Sequence, residues 1–376
     1  MQKEQYNGAG LMQGQALSEK VLYESRELIC YEDRALHKYN YKTKYPQTVE
    51  KQIKRFLSAC PELEQLYVLP VPPRICTEKG QEESKEAYGK FCEGLEEELP
   101  QNAIFVDALP RLTEHSGEYV FFRTEDSWTA RGAFYGMQDL GEAMAMQVIP
   151  LTAYEESMYN SFTGGVKYLD DVWAAKDISF PVDWTYYYLL PDSVNRAEIM
   201  RLDENGKMFS FKKPLITISA RNDGTFIDAA YVRAIVDGKA RPDNNKGKYL
   251  LVICDEKGKL IVPYLKDYYD GVYVINVKED GNLADDIHDI LQTYHITEAV
   301  YVQNACDMGV DGYDKMWQGF ARKKRRWRKD GLCVPEGNQV CDSKGNIWAL
   351  TEAAGCSVGE RFALQKGYLY RALAVL

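Results

Sequence analysis

A three-layer α/β/α sandwich around a mostly parallel, doubly wound sheet is the fold this sequence predicts. The stretch from Tyr249 to Val302 alternates short β-branched runs with amphipathic segments. Such β-α-β-α-β alternation with short connections is the pattern of a parallel sheet covered by helices. Upstream, Leu66–Val71 and Ala103–Val106 read as further buried strands, with helices over 47–57 and 84–98 around them. A chain of 376 residues with 45% hydrophobic content can also bury a substantial core, and is long for one simple sheet.

The elements follow in order. Tyr249 to Ile253 is an apolar run of strand length, and Asp255-Glu256-Lys257-Gly258 is a turn. Leu260, Ile261, Tyr264, Leu265 and Tyr268 recur at helical spacing. Pro263 falls early in that helix, where its missing N–H costs little. Val272 to Val277 is the next strand, Leu283, Ile287, Ile290 and Leu291 mark a second helix, and Ala299 to Val302 a third strand. Ligands of such sheets bind beyond the carboxyl ends of the strands, so the 255–258 turn is the first place to look for a site.

Two regions fall outside this core. Residues from about 150 to 245 carry Pro214-Leu215-Ile216-Thr217-Ile218 and the turns Asn222-Asp223-Gly224 and Asp237-Gly238. They read as a β-rich insertion, a subdomain or cover above the sheet, within an α/β domain spanning 15–306. Residues 307–376 read as a C-terminal extension: a helix over Tyr313–Lys329, then short strands such as Ile347–Leu350 and Tyr368–Ala374. The helix ends in Lys323-Lys324-Arg325-Arg326-Trp327-Arg328-Lys329. The plainer reading of that run is a solvated helix end with cations at its C-terminus; contact with an anionic polymer or lipid is the other.

One segment carries a recognisable frame: Arg123-Thr124-Glu125-Asp126-Ser127-Trp128-Thr129, then Gly132-Ala133-Phe134-Tyr135. A second block is the strand before Asp255, then Gly258, then Pro263. Together they resemble the DHHW family, relatives of the SGNH hydrolases and of alginate O-acetyltransferase-like proteins. Those proteins carry Arg-Thr-Asp-His-His-Trp-Thr in the first block and Lys-Asp-Ser-Tyr-Gly-Asn in the second. Gly271–Ile275, Asn282-Leu283 and Ala299–Asn304 look like the family's ending, so the resemblance spans roughly 25–306, loosely over 150–245.

The resemblance implies an SGNH/flavodoxin-like sandwich, but the catalytic core has changed. Glu125-Asp126-Ser127 replaces the Asp-His-His core, Glu256 stands at the nucleophilic serine, and Lys259 at the family asparagine. A serine nucleophile needs a hydroxyl near oxyanion-binding N–H groups and a base of near-neutral pKa. Glu256 has no hydroxyl and Ser127 is no base, so serine acyl transfer is expected to be lost. Glu125, Asp126, Ser127, Trp128, Asp255, Glu256, Gly258 and Asn304 then mark a degenerate site.

Other chemistry has to be weighed. The four histidines are His37, His115, His288 and His295. All read first as structural or surface residues, although His115, ten residues before Glu125, could swing toward the site. Asp342-Ser343-Lys344-Gly345-Asn346 spells a serine motif, but its flanks read as two short strands around a hairpin turn. If Glu125, Asp126, Asp255 and Glu256 converge, they could recruit calcium or magnesium. Against that, Asp255 and Glu256 sit where caps and helix dipoles favour acids.

Composition sets the outer bounds. A formal charge of −10 argues against general nucleic-acid binding. No stretch approaches the apolar length of a membrane span, and Met1 to Gly14 is polar without a signal-peptide core. The nine cysteines lack CxxC spacing; Cys333, Cys341 and Cys356 could form one disulfide, while reduced, buried thiols are the simpler reading. The 27 tyrosines suit sugar contact and half-buried packing alike. By resemblance, the chain is expected outside the cytoplasm as a non-catalytic glycan-binding or accessory subunit in cell-surface polysaccharide O-acetylation. Its partners would be a glycan or a membrane acyltransferase, and no cofactor is expected. The alternatives are an active esterase or O-acetyltransferase with a non-standard set (Ser343, His115 or the carboxylates) and a structural surface protein.

Overall fold

The computed structural model describes residues 17–39, 42–125, 127–162, 170–179, 182–217, 225–241, 245–310, 314–321, 339–341, 347–352 and 371–375. They fall in two compact units, Met1–Phe320 and Ala321–Leu376. The first unit opens with a small antiparallel sheet of β1 (Val21–Glu24), β2 (Leu28–Tyr31) and β3 (Ala35–His37), followed by helix α1 (Lys44–Ala59). Then come β4 (Gln65–Val71), α2 (Glu82–Glu98), β5 (Ala103–Phe105), α3 (Leu109–Glu114) and α4 (Ala130–Ala143). The middle of the chain gives β6 (Glu155–Phe162), α5 (Asp170–Ala174), β7 (Asp183–Leu189), β8 (Ala197–Leu202), β9 (Met208–Lys213) and β10 (Arg233–Asp237). Last are β11 (Tyr249–Cys254), α6 (Val262–Leu265), β12 (Gly271–Asn276), α7 (Leu283–Thr293), β13 (Glu298–Asn304) and α8 (Lys315–Ala321).

Eight of these strands form the main sheet in the order β5-β4-β13-β11-β12-β10-β8-β9. The first five run parallel, as the β-α-β alternation predicts; β10, β8 and β9 add antiparallel strands beyond β12. The two faces follow from the period of two in a strand. In β11, Leu251 and Ile253 join α1, α2 and α7 in one core, while Leu250, Val252 and Cys254 join α4 and α6 in the other. Helix α1 shows the matching helical pattern, burying Tyr45, Val49, Ile53, Phe56 and Leu57 along one side. The product is the expected three-layer sandwich.

Several details differ from the sequence reading, each for a physical reason. Strand β5 is not buried: it closes one edge of the sheet and leaves Ile104 37% exposed. The segment after β11 is no amphipathic helix. Every residue from Gly258 to Tyr269 is buried, and the backbone proceeds as a 3₁₀ turn (Gly258–Ile261), the single turn α6, and another 3₁₀ turn (Lys266–Tyr268). Such tight pieces suit a short crossover pressed between sheet and helix. The β-rich segment does not simply cover the sheet; three of its strands extend it, and only β6 and β7 pair apart as a two-stranded ribbon.

In the second unit, strands β14 (Gln339–Cys341), β15 (Ile347–Glu352) and β16 (Arg371–Val375) form an antiparallel sheet in that order. Val340 pairs with Trp348, as a hairpin about Asp342–Asn346 requires. The turn itself, with Ser343, lies outside the described residues, as do the basic run 323–329, Cys333 and Cys356. Cys30, Cys60, Cys76, Cys92, Cys254 and Cys306 take part in no disulfide among the described residues. Among the described residues no helix is long and apolar enough to cross a membrane.

Candidate functional site

Strand β11 sits between β13 and β12, and the chain leaves it toward β12 while β4 leads outward to β5. Connections that diverge in this way open a crevice beyond the carboxyl ends of the strands. The 255–258 turn closes β11 there, and Asn304 ends β13 beside it.

Asp255, fully buried, organises the turn. One carboxylate oxygen accepts from the N–H of Lys257 at 3.0 Å and of Gly258 at 2.7 Å; the other accepts from the Asn304 N–H at 3.3 Å. An Asx-type cap of this kind is what an aspartate before a turn is suited to provide. Gly258 is required by close approach, since a Cβ there would overlap the Val302 carbonyl of β13. Lys278 Nζ stands 3.8 Å from Asp255 and 3.1 Å from Asp307.

Glu256, at the expected nucleophile position, is held in an ion pair with Lys259 Nζ and accepts from Asn276 Nδ2 at 3.3 Å. The lysine is 1% exposed, also donates to the Asp228 carbonyl at 3.1 Å, and lies 5.4 Å above the Tyr231 ring. A buried ammonium survives only when paired and hydrogen-bonded, and Glu256 with Asp228 does this for Lys259. The site thus holds a salt bridge where the sequence frame anticipates a hydroxyl. The one thiol on β11, Cys254, is no substitute: it is fully buried against the Tyr231 hydroxyl, and burial pushes its pKa up.

The second block meets the first through Trp128. Its fully buried indole donates from Nε1 to the Lys257 carbonyl at 2.8 Å. Phe121 bridges to Trp128 and the Phe122 N–H donates to the Ser127 carbonyl at 3.0 Å, folding the box into a tight loop. Thr129 caps α4, accepting from the Gly132 N–H at 3.3 Å. Gly132 and Gly136 leave room where a Cβ would strike the Val120 carbonyl or the indole ring. Ser127 is buried, its hydroxyl donating to the Trp128 carbonyl at 3.2 Å. Glu125 is half-buried, and Asp126 lies outside the described residues.

Sequence reading gave no hint of what anchors this box. Asp183, the fully buried first residue of β7, accepts four hydrogen bonds: from the Arg123 N–H at 2.6 Å, the Thr124 N–H at 2.8 Å, the Thr124 hydroxyl at 2.5 Å and the Tyr119 hydroxyl at 2.5 Å. Its partners lie about sixty residues away, so no local pattern marks it.

Among the described residues, Glu125, Asp255 and Glu256 do not form the shared set that a cation would need. Asp255 serves its own turn and Glu256 its lysine, and among the described residues no three His, Cys, Asp or Glu side chains gather as ligands. His115 is engaged elsewhere: Nδ1 lies 2.8 Å from Glu118 and the ring stacks on Tyr135 at 3.8 Å. His288 pairs with Glu62 at 2.8 Å.

A further acid borders the crevice. Asp314, 3% exposed, accepts from Gln303 Nε2 at 3.0 and 3.2 Å. Burial first, then the nearby Asp255 and Asp307 charges, raise it from an ordinary 3.8 to about 7, against the Gln303 hydrogen bond and Lys278. Its folded value lies above its unfolded one, so folding favours the protonated form. That stabilisation is complete below pH 3.8 and lost as pH rises through about 7. Between pH 5 and 8 the protein should lose about 3 kcal/mol from this source, and Asp314→Asn should flatten the slope in denaturant titrations. An unchanged slope in the variant would assign the pH dependence to other groups.

Comparison with known proteins fits this geometry. The family model described as DHHW protein matches residues 102–275, from β5 through the box and the turn to β12. Among solved structures, a DHHW family protein from Eubacterium siraeum aligns with a TM-score of 0.62 and 16% identity, covering 81% of this chain and 98% of that one. Bacillus cereus PatB1, solved with a sulfonyl adduct, aligns with a TM-score of 0.57 and 14% identity, covering 77% of this chain and 98% of its own. At such identities the likeness is one of fold. No curated protein sequence matches the chain. Residues 102–275 thus match the DHHW protein family model, on an α/β/α sandwich whose fold is shared with a DHHW family protein.

Proposed function

We propose that this protein is a non-catalytic DHHW-family member that binds a glycan as an accessory subunit in cell-surface polysaccharide modification. The observation that carries the reading is the Glu256–Lys259 ion pair in the turn beyond β11, with buried Ser127 on the facing box. A paired carboxylate neither attacks an ester as a serine does nor generates an oxyanion-binding turn, because its charge opposes the developing negative charge. The resemblance to proteins of polysaccharide O-acetylation supplies the substrate class, and the fold shared with the DHHW protein supports it.

The test is direct. Purified protein should hydrolyse p-nitrophenyl acetate no faster than a heat-denatured control. PatB1 has been solved with a sulfonyl adduct; intact mass spectrometry after a sulfonyl fluoride should show no adduct on this chain. A second reading, an active esterase, is favoured only by the serine motif at Asp342–Asn346. Turnover abolished by Ser343→Ala would establish that reading and overturn ours. Turnover abolished only by Glu256→Gln would place carboxylate chemistry at the turn.

A further inference from the structure

A cleft of about 690 Å³ opens beside the box, on the flank where Phe121 and Arg123 enter it. That size falls within the roughly 300–1,000 Å³ of ligand sites. Its walls come from the small N-terminal sheet (Tyr31, Arg34), the turn after β4 (Arg74, Lys79) and the segment before α4 (Tyr119, Arg123).

At its base two guanidinium groups, Arg34 and Arg74, share one glutamate. Glu78 accepts from Arg34 Nε at 3.1 Å and Nη2 at 2.9 Å, and from Arg74 Nε at 3.1 Å. Arg34 is completed by Asp33 at 2.6 Å and the Ser18 carbonyl at 2.8 Å. Arg74 is not. Its Nη1 donates to the Phe122 carbonyl at 2.8 Å, and among the described residues its Nη2 donates to nothing. The Arg74 side chain is only 9% exposed, and what it exposes lines the cleft. Burial pulls this guanidinium below its ordinary pKa and Arg34 adds to the shift, while Glu78 and Asp183 oppose it. Of the other acids of the wall, Glu118 already serves Arg131 and the Tyr135 hydroxyl, and Glu19 stands exposed at the rim.

Resting on the glycan-binding reading above, we propose that this cleft binds the carboxylate of an acidic sugar, with the free edge of Arg74 as its anchor and Arg123 and Lys79 at its rim. A planar carboxylate matches a guanidinium fork better than a hydroxyl does, and the buried setting strengthens the contact. Tyr119, half-buried, borders the cleft beside Tyr31, whose ring lies under the Arg34 guanidinium at 4.0 Å.

Calorimetric titration with a galacturonate oligomer, a neutral glucose oligomer of equal length and hexaglutamate tests this. The uronate should bind at least about tenfold more tightly than the neutral oligomer, weakening with salt. Arg74→Lys, which keeps the charge and loses the fork, should reduce uronate affinity about tenfold or more. If thermal melting shows that this variant does not fold, Lys79→Glu at the exposed rim takes its place and should weaken binding several-fold. Equal binding of uronate and neutral oligomers, or unchanged affinity in the variant that folds, overturns the site but leaves glycan binding standing. Equally tight hexaglutamate overturns the sugar assignment. Ester turnover in the hydrolysis assay would sink the non-catalytic reading alone.

Discussion

Asp183→Ala is expected to destabilise the first unit by about 3–5 kcal/mol, read as a lower denaturant midpoint. The carboxylate is fully buried and accepts from two backbone N–H groups and two hydroxyls. Removing it strands all four donors at once, and a buried donor left unpaired costs more than a typical hydrogen bond contributes. Asp183→Asn should recover only part of the loss, since its amide nitrogen repels the donors that the second carboxylate oxygen had accepted. The readout should be local as well as global: amide exchange at Arg123 and Thr124 should speed up before that of β11. A loss below about 1 kcal/mol would mean that water replaces the carboxylate and that the box holds itself in place.

The second large effect is expected at Trp128. Trp128→Ala removes a fully buried indole packed on Gly136 and should cost about 3–5 kcal/mol. Trp128→Phe separates packing from hydrogen bonding: it keeps much of the apolar ring and loses the bond to the Lys257 carbonyl, for about 1 kcal/mol. If the indole couples the two blocks, hydrogen exchange in residues 255–259 should rise in Trp128→Phe while β4 is unchanged. Equal exchange in variant and parent would reduce the indole's role to filling space.

What could be read from the sequence was whatever is written locally. The strands β11, β12 and β13 are apolar runs because they are buried on both faces, and the turn between runs is conspicuous. Strands β8 and β9 were harder. Met208–Lys213 lies at the sheet edge with a half-exposed, half-polar sequence, so nothing marks it as part of the main sheet. The crossover after β11 showed helical spacing in its apolar residues, and spacing cannot distinguish a helix from short turns buried on every side. In the site, the changed positions Ser127 and Glu256 were visible against the family frame. The long-range partnerships were not: Asp183 with the box, Arg74 with Phe122, Arg34 with Glu78, and Lys259 with Asp228 are joined by the fold alone.

The Glu256–Lys259 pair also constrains how this chain could change. Restoring serine at 256 alone would take the Glu256 carboxylate away from a lysine that is 1% exposed. Replacing Lys259 alone would leave Glu256 beside Asp255 without its cation. Either single step passes through a destabilised protein, so the two positions are epistatic. A return to hydroxyl chemistry requires both substitutions together, and the salt bridge acts as a ratchet against reversion.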